Sequence, residues 1–306
     1  MKNLSIIIPI YHNEKNLPIT FQVLKDKVLK NLSEYEIIFV DDGSKDASYE
    51  VMQKLKKQNN NIKLIKLSRN FGSHAAIFAG LEHATGNCAA VISADLQDDP
   101  NIILQMYKKW VEGNQVVLAV RKNREGSWFQ KFLSNTYYKI FQKIAISHMP
   151  KNGFDCFLID QKVISVLSQI EEKNSTIMGQ ILWCGFKRDI IYYVRKAREV
   201  GKSRWTTSKK IKLFIDSILS FSYFPIRAVS VFGLIVFMLS FSYSIFLIIR
   251  KFIGGTSIQG WTTLVVLQLL VFGVQMLVLG LIGEYLWRTL DASRKRPVYV
   301  IEIIEE

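Results

Sequence analysis

Val91-Ile92-Ser93-Ala94-Asp95-Leu96-Gln97-Asp98-Asp99-Pro100 is an apolar run that breaks abruptly into three carboxylates and an amide. The residues before Asp95 predict a buried strand, and Pro100 suits the first residue of a following helix. Carboxylates at the carboxyl end of a parallel strand face the crevice where open α/β sheets bind ligands. Hard oxygen donors there suit Mg2+ or Mn2+, which takes one or two carboxylates and leaves positions for phosphate oxygens. The plain alternative is a solvated acidic turn with a capping Asp.

Upstream, the same pattern recurs. Ser5–Pro9 predicts a short buried strand followed by Tyr11-His12-Asn13-Glu14, and Asn16–Lys30 has helical spacing at Leu17, Phe21, Leu24 and Val28. Glu36–Val40 predicts a second strand ending in Asp41-Asp42-Gly43-Ser44, with a helix over Asp46–Gln58. Ile62–Leu67 runs into Ser68-Arg69-Asn70-Phe71-Gly72 and a small-residue helix over His74–Ala84, before a fourth strand at Ala89–Ser93. Strands alternating with helices at this pace predict an α/β fold with a doubly wound, mainly parallel sheet. Every polar cluster falls at a strand's carboxyl end, where one crevice gathers them. No GxGxxG or Walker loop is present, so a nucleotide's phosphates need another cradle, which a metal can provide. Asp41 and Asp42 would then serve the base or ribose and Asp95 the cation, although Asp-Asp-Gly-Ser is also a common turn sequence.

Composition narrows the partner. Among 306 residues, 40 Lys and Arg stand against 26 Asp and Glu, a net charge of +14 that favours an anionic partner. Ile226–Ile249 and Trp261–Trp287 are each long enough to cross a bilayer core of roughly 30 Å, which selects a membrane over nucleic acid. Three widely spaced cysteines, Cys88, Cys156 and Cys184, read as small core residues rather than a disulfide framework or zinc site. Leu4–Ile10 is too short for a signal peptide and contains Pro9, so a cytoplasmic head is expected.

Pro9-x-Tyr11-x-Asn13-Glu14, Asp41-Asp42-Gly43-Ser44, Ser68-Arg69-Asn70-Phe71-Gly72 and Ala94-Asp95-Leu96-Gln97-Asp98 occur in this order. Together they resemble family 2 glycosyltransferases of the GT-A fold, above all those acting on polyprenyl phosphates. The resemblance runs from about Leu4 to Pro297. It implies a nucleotide-sugar donor, UDP-sugar ahead of GDP-sugar, and a polyprenyl phosphate acceptor of the undecaprenyl type. It also implies that Pro9, Tyr11, Glu14 and Asp41 contact the nucleotide, while Asp95 and Gln97 ligate the metal. Two departures stand out. Ser93 occupies the place of the family's first Asp and keeps a hydrogen bond but no charge. Phe157 replaces the arginine of the family's Asp-Phe-Arg-Leu segment, whose place is taken by Asp155-Cys156-Phe157-Leu158.

Beyond the acidic stretch, Val116–Val120 predicts another strand leading into Arg121 and Arg124, whose guanidinium forks suit phosphate oxygens. Trp128–Ile146 carries aromatic and apolar residues at helical spacing with lysines between them. This pattern predicts either an interfacial amphipathic helix or a core-facing helix of the head. Lys131 and Ser134 lie where a lipid headgroup would meet the crevice. The segment Met178–Phe186 lacks the Gln-x-x-Arg-Trp of processive synthases, which favours transfer of a single sugar. Arg195 and Arg198 lead into Gly201-Lys202-Ser203-Arg204-Trp205, similar to a family loop. Arg198, Lys202 and Arg204 are assigned there to diphosphate clamping or membrane-edge anchoring.

The expected organisation is a catalytic head over 1–204 that includes the 128–146 helix, a second interfacial helix over 205–225, two spans within 226–289 and a tail over 290–306. Lysines and arginines flank both spans on one side, so both termini are expected in the cytoplasm. Pro297–Ile301 predicts a terminal strand whose open edge pairs with a neighbouring subunit, the basis for expecting a homo-oligomer. The candidate catalytic residues are Asp95, Gln97 and Asp98. Donor contacts are assigned to Pro9, Tyr11, Glu14, Asp41, Asp42, Ser93, Arg198 and Lys202. Acceptor-phosphate contacts are assigned to Arg121, Arg124, Lys131 and Ser134. Transfer to a glycan hydroxyl would instead need Asp98 or Asp155 as base, and a decayed nucleotide-sugar-binding scaffold would account for Ser93 and Phe157.

Overall fold

In the computed structural model, the residues described are 3–95, 97–122, 136, 139, 142–143, 145–146, 148–150, 152–170, 172, 174–195, 215–253 and 260–306. The first strand, β1 (Leu4–Ile10), shows why the sheet is covered on both faces. Leu4, Ile6, Ile8 and Ile10 enter one apolar core and Ile7 enters the other, as period-two geometry requires of a strand buried on both sides. Pro9 sits in this central strand without breaking it. Its missing N–H faces the β4 side, and pairing there ends at Ile7 with Val91.

The chain continues through α1 (Leu17–Lys27), β2 (Tyr35–Asp41), α2 (Ser48–Lys56), β3 (Ile62–Leu67), α3 (Ser73–Glu82), β4 (Cys88–Val91), α4 (Asn101–Val111) and β5 (Val116–Arg121). It then forms β6 (Phe154–Asp160), α5 (Gln161–Leu167), α6 (Ile177–Trp183) and β7 (Arg188–Tyr193). Two long helices, α7 (Phe224–Ile253) and α8 (Trp261–Ser293), precede the terminal β8 (Ile301–Glu305). The strands form one sheet in the order β7-β5-β6-β4-β1-β2-β3-β8. β1 through β4 are parallel where they pair, and β5 is parallel to β7. β6 and β8 run against their neighbours. Helix α3 packs closely on this sheet because residue 80 is glycine: a Cβ there would meet Ile7 Cγ2 at 2.4 Å and Val40 Cγ2 at 3.2 Å.

Because β6 is antiparallel, its first residues lie at the sheet edge where β1, β2, β4, β5 and β7 end. That reversal carries Asp155 and Cys156 to the same edge as Asp95. Neither β6 nor β7 is expected as a strand from the sequence. The terminal strand is observed slightly later than expected. β8 pairs antiparallel with β3 of its own chain, which occupies one of its two edges. Glu305 accepts hydrogen bonds from Tyr49 (2.8 Å) and Gln53 (2.7 Å), and Glu302 pairs with Lys66 at 3.0 Å. These contacts give the strand a specific seat.

The chain divides into two compact units, Met1–Phe221 with Pro297–Glu306, and Ser222–Arg296. The second contains α7 and α8, which include segments Phe224–Tyr243 and Val271–Ser293 of a length and apolarity able to cross a membrane. Large apolar side chains such as Phe237, Leu239 and Leu277 are exposed on them, a surface suited to lipid. Of the two interfacial segments expected, 128–135 and 205–214 lie outside the described residues, while 215–221 is helical.

Candidate active site

The loop after β1 and the loop after β2 are knitted together by short polar side chains. His12 N–H donates to Ser44 Oγ at 2.9 Å, Asn13 N–H to Ser48 Oγ at 2.8 Å, and Ala47 N–H to Glu14 Oε2 at 3.0 Å. Tyr11 N–H donates to Asn13 Oδ1 at 3.1 Å. The carboxylate of Glu14 thus positions the entry to α2. Asp41, at the end of β2, is fully buried; its Oδ1 accepts from Ser44 N–H at 3.1 Å, while Oδ2 has no hydrogen-bond partner among the described residues. Burial pushes its carboxyl above the usual range, with Ser44 opposing the shift. A buried acceptor without a donor is costly, and such a group is what an incoming ligand N–H or O–H satisfies.

Asp42 has a different occupation. Its Oδ1 accepts from Phe71 N–H at 2.7 Å and its Oδ2 from Gly72 N–H at 3.0 Å, so it holds the loop between β3 and α3. Burial lifts its pKa to about 6 against the pull of these two amides. Gly43 follows the two acids with φ +66, and a Cβ there would sit 2.4 Å from the Arg69 carbonyl carbon. Only glycine meets both demands. Arg69 covers the ring of Phe71 at 4.0 Å on the same loop.

Two strands away, the acidic stretch forms a second network. Ser93 Oγ donates toward Asp95 Oδ1 at 2.6 Å and also lies 3.3 Å from Asp98 Oδ2. Asp95 Oδ1 accepts from Gln97 N–H at 3.3 Å, a local turn of the kind that short acids favour. Asp98 is sealed from solvent and accepts from Tyr193 O–H at 2.7 Å and Cys156 S–H at 3.3 Å. Burial, then the Asp98 charge, raises the Cys156 thiol well above its usual range. The Tyr193 hydroxyl is likewise raised, by burial first and then by Cys156 and Asp98. Both therefore remain protonated donors.

Arg195, just past β7, closes the network. Its Nε lies 3.2 Å from Asp98 Oδ1, its Nη2 3.8 Å from Asp95 Oδ2 and its Nη1 3.5 Å from Asp155 Oδ2. Asp155 also pairs with Arg121 at the end of β5. Ends of β4, β5, β6 and β7 thus contribute one charged cluster, and the end of β1 separates it from Asp41 on β2. At about 4.8 Å per strand, β2 and β4 stand roughly 10 Å apart.

The structure brings together Pro9, Tyr11, Glu14, Asp41 and Asp42 on one side and Ser93, Asp95, Gln97, Asp98 and Arg121 on the other. Arg124, Lys131, Ser134, Arg198, Lys202 and Arg204 lie outside the described residues. Sequence reasoning missed Tyr193 and Cys156 as partners of Asp98, and left Arg195 in the lead-in to a basic loop. Their signal was a reversed β6 and an edge strand β7, neither of which announces itself in the sequence.

Comparison with known proteins identifies the family. Residues 5–168 match the family described as Glycosyl transferase family 2. Over 299 residues the chain is 38% identical to the uncharacterized glycosyltransferase YkcC of Bacillus subtilis, covering 97% of this chain and 93% of that one. The uncharacterized glycosyltransferase sll0501 of Synechocystis is 36% identical, covering 97% and 94%. A prophage bactoprenol glucosyl transferase homolog of Escherichia coli is 33% identical over 304 residues, 99% of each chain. With a mixed α/β head and polar motifs gathered where its parallel strands end, the chain belongs to glycosyl transferase family 2.

Proposed function

We propose that this glycosyltransferase moves one sugar from a nucleotide-sugar, a UDP-sugar in particular, to a polyprenyl phosphate of the undecaprenyl type at the cytoplasmic face of a membrane. The observation that carries the reading is the pairing of two half-sites at one sheet edge: the buried oxygen of Asp41 that has no partner among the described residues and the acid–arginine cluster around Asp95. The first suits a nucleoside donor group and the second a charged diphosphate. Relatives named for bactoprenol and two apolar helices support a lipid acceptor and a multi-pass chain with both termini cytoplasmic. Among the described residues β7 and β8 each keep one sheet edge unpaired, which offers a contact for a homo-oligomer.

Among the described residues no three His, Cys, Asp or Glu side chains converge as a metal cage. The donor set instead fits a hard cation, Mg2+ or Mn2+, held by Asp95 and Gln97 and completed by diphosphate oxygens, the mode in which Mg2+ keeps few protein ligands. Such a cation, when bound, supplies positive charge to the departing nucleotide diphosphate. Arg198 and Lys202 add charge to the same group in this reading, and Arg121, Arg124, Lys131 and Ser134 receive the lipid phosphate. A phosphate monoester is largely dianionic at neutral pH, its second pKa being about 6, so the nucleophile needs no strong base. That matters here because Asp98 is sealed and Asp155 is held between two arginines. Displacement at the anomeric carbon then proceeds with inversion, and Asp98 serves to hold Arg195.

The test is incubation of the purified protein with Mn2+, undecaprenyl phosphate and a panel of radiolabelled nucleotide sugars, followed by lipid extraction. Label enters the lipid phase as an acid-labile sugar phosphate with the wild type and falls at least about a hundredfold with Asp95→Ala. Label appearing in a glycan, or full turnover by Asp95→Ala, overturns the reading.

A further inference from the structure

Arg195 stands among three carboxylates drawn from two other chain segments. Nε is 3.2 Å from Asp98, Nη1 is 3.5 Å from Asp155, and the longest approach, 3.8 Å, is Nη2 to Asp95. The Nε–H is buried and, among the described residues, makes no aligned hydrogen bond although Asp98 is within ion-pair range. The guanidinium is therefore held by charge more than by directed bonds, and its grip on Asp95 is the loosest of the three. Asp98 cannot exchange this partner for water because it is sealed, whereas Asp95 keeps 13% and Asp155 45% of the side chain exposed.

We propose that Arg195 is a built-in counter-cation that competes with the divalent ion for Asp95. In the donor-free site the guanidinium neutralises Asp95. Entry of the ion displaces the Nη2 end, while Asp98 and Asp155 retain the rest of the group. A diphosphate arriving with the ion gives the displaced end a new anionic partner. Ion and donor therefore bind cooperatively, since each supplies what the other removes. This inference rests on the reading of Asp95 as an ion ligand.

The experiment is Mn2+ binding to the purified full-length chain, followed by electron paramagnetic resonance, with and without UDP. Removing a cation less than 4 Å from a carboxylate raises the affinity of that carboxylate for another cation even under strong screening. Arg195→Gln should bind Mn2+ alone about tenfold more tightly than the wild type, and the further tightening produced by UDP should shrink. Arg195→Lys, which keeps the charge, should stay within about threefold of the wild type. As a second measurement, Mn2+ without nucleotide should raise the unfolding temperature of Arg195→Gln and Arg195→Met more than that of the wild type. Mn2+ affinity in Arg195→Gln equal to or below that of the wild type overturns the proposal while leaving the ion site intact. Absence of Mn2+ binding by the wild type even with UDP overturns both the proposal and the reading beneath it.

Discussion

Replacing Asp98 by alanine removes a carboxylate that is 0% exposed in its side chain and meets Arg195 at 3.2 Å, Tyr193 at 2.7 Å, and Ser93 and Cys156 at 3.3 Å. Breaking a buried ion pair by removing one partner costs about 3–5 kcal/mol, and a hydroxyl stranded at Tyr193 costs about 1–3 kcal/mol. These costs do not simply add. Arg195 keeps 20% of its side-chain surface in solvent and retains Asp95 and Asp155 nearby, so water and the other acids recover part of the loss. The expected destabilisation is about 3 kcal/mol, a large share of the roughly 5–15 kcal/mol that holds a domain together. For a head of this size it corresponds to a fall of about 6–12 °C in unfolding temperature. Scanning fluorimetry of detergent-purified protein measures it. A double-mutant cycle with Arg195→Gln isolates the pair, and a coupling above about 1 kcal/mol is expected. A fall of less than 2 °C for Asp98→Ala, or additive single and double variants, would refute the account of Asp98 as the buried anchor of Arg195.

Two further outcomes follow from the packing of α3 and the titration of Asp42. Gly80→Ala forces a methyl to within 2.4 Å of Ile7 Cγ2 and should cost about 1–3 kcal/mol through overpacking; urea unfolding that shows no loss would contradict the close seat of α3. Asp42 is lifted from 3.8 to about 6 in the folded chain, so it favours folding when protonated. Its contribution is complete below about pH 4 and disappears as pH rises through 6, on the order of 3 kcal/mol in all. Against Asp42→Asn, which keeps an acceptor for Phe71 N–H, the wild type should therefore lose relative stability between pH 4 and pH 7; the opposite slope in a pH series of unfolding curves would sink the assignment.

Much of the head was legible because β1, β2 and β4 are continuous apolar runs, and a strand buried on both faces has no other composition available to it. The acids at their ends were legible for the same reason: the run has to stop where the crevice begins. β7 was not, since Arg188–Tyr193 is a half-exposed edge strand whose six residues carry no clear alternation. Without β7 and the reversed β6, nothing in the sequence says that Arg195, Asp155 and Asp98 meet. Asp42 shows another limit. Its partners are the backbone amides of Phe71 and Gly72, and an amide has no side-chain signature to read. The partner of β8 was hidden because strand pairing depends on where the intervening helices return the chain.

The seat of β8 beside β3 has a consequence for biosynthesis. More than two hundred residues separate these neighbours, and both long apolar helices lie between them. At about 5–20 residues per second, a ribosome leaves the rim of β3 uncovered for on the order of tens of seconds while the whole intervening stretch, those helices included, is being made. During that interval Lys63 and Lys66, which later pair with Glu306 and Glu302, present positive charge along the exposed ladder. Lysine on a bare strand discourages pairing with another nascent chain, so the residues that later fasten the tail first serve to keep unfinished copies apart.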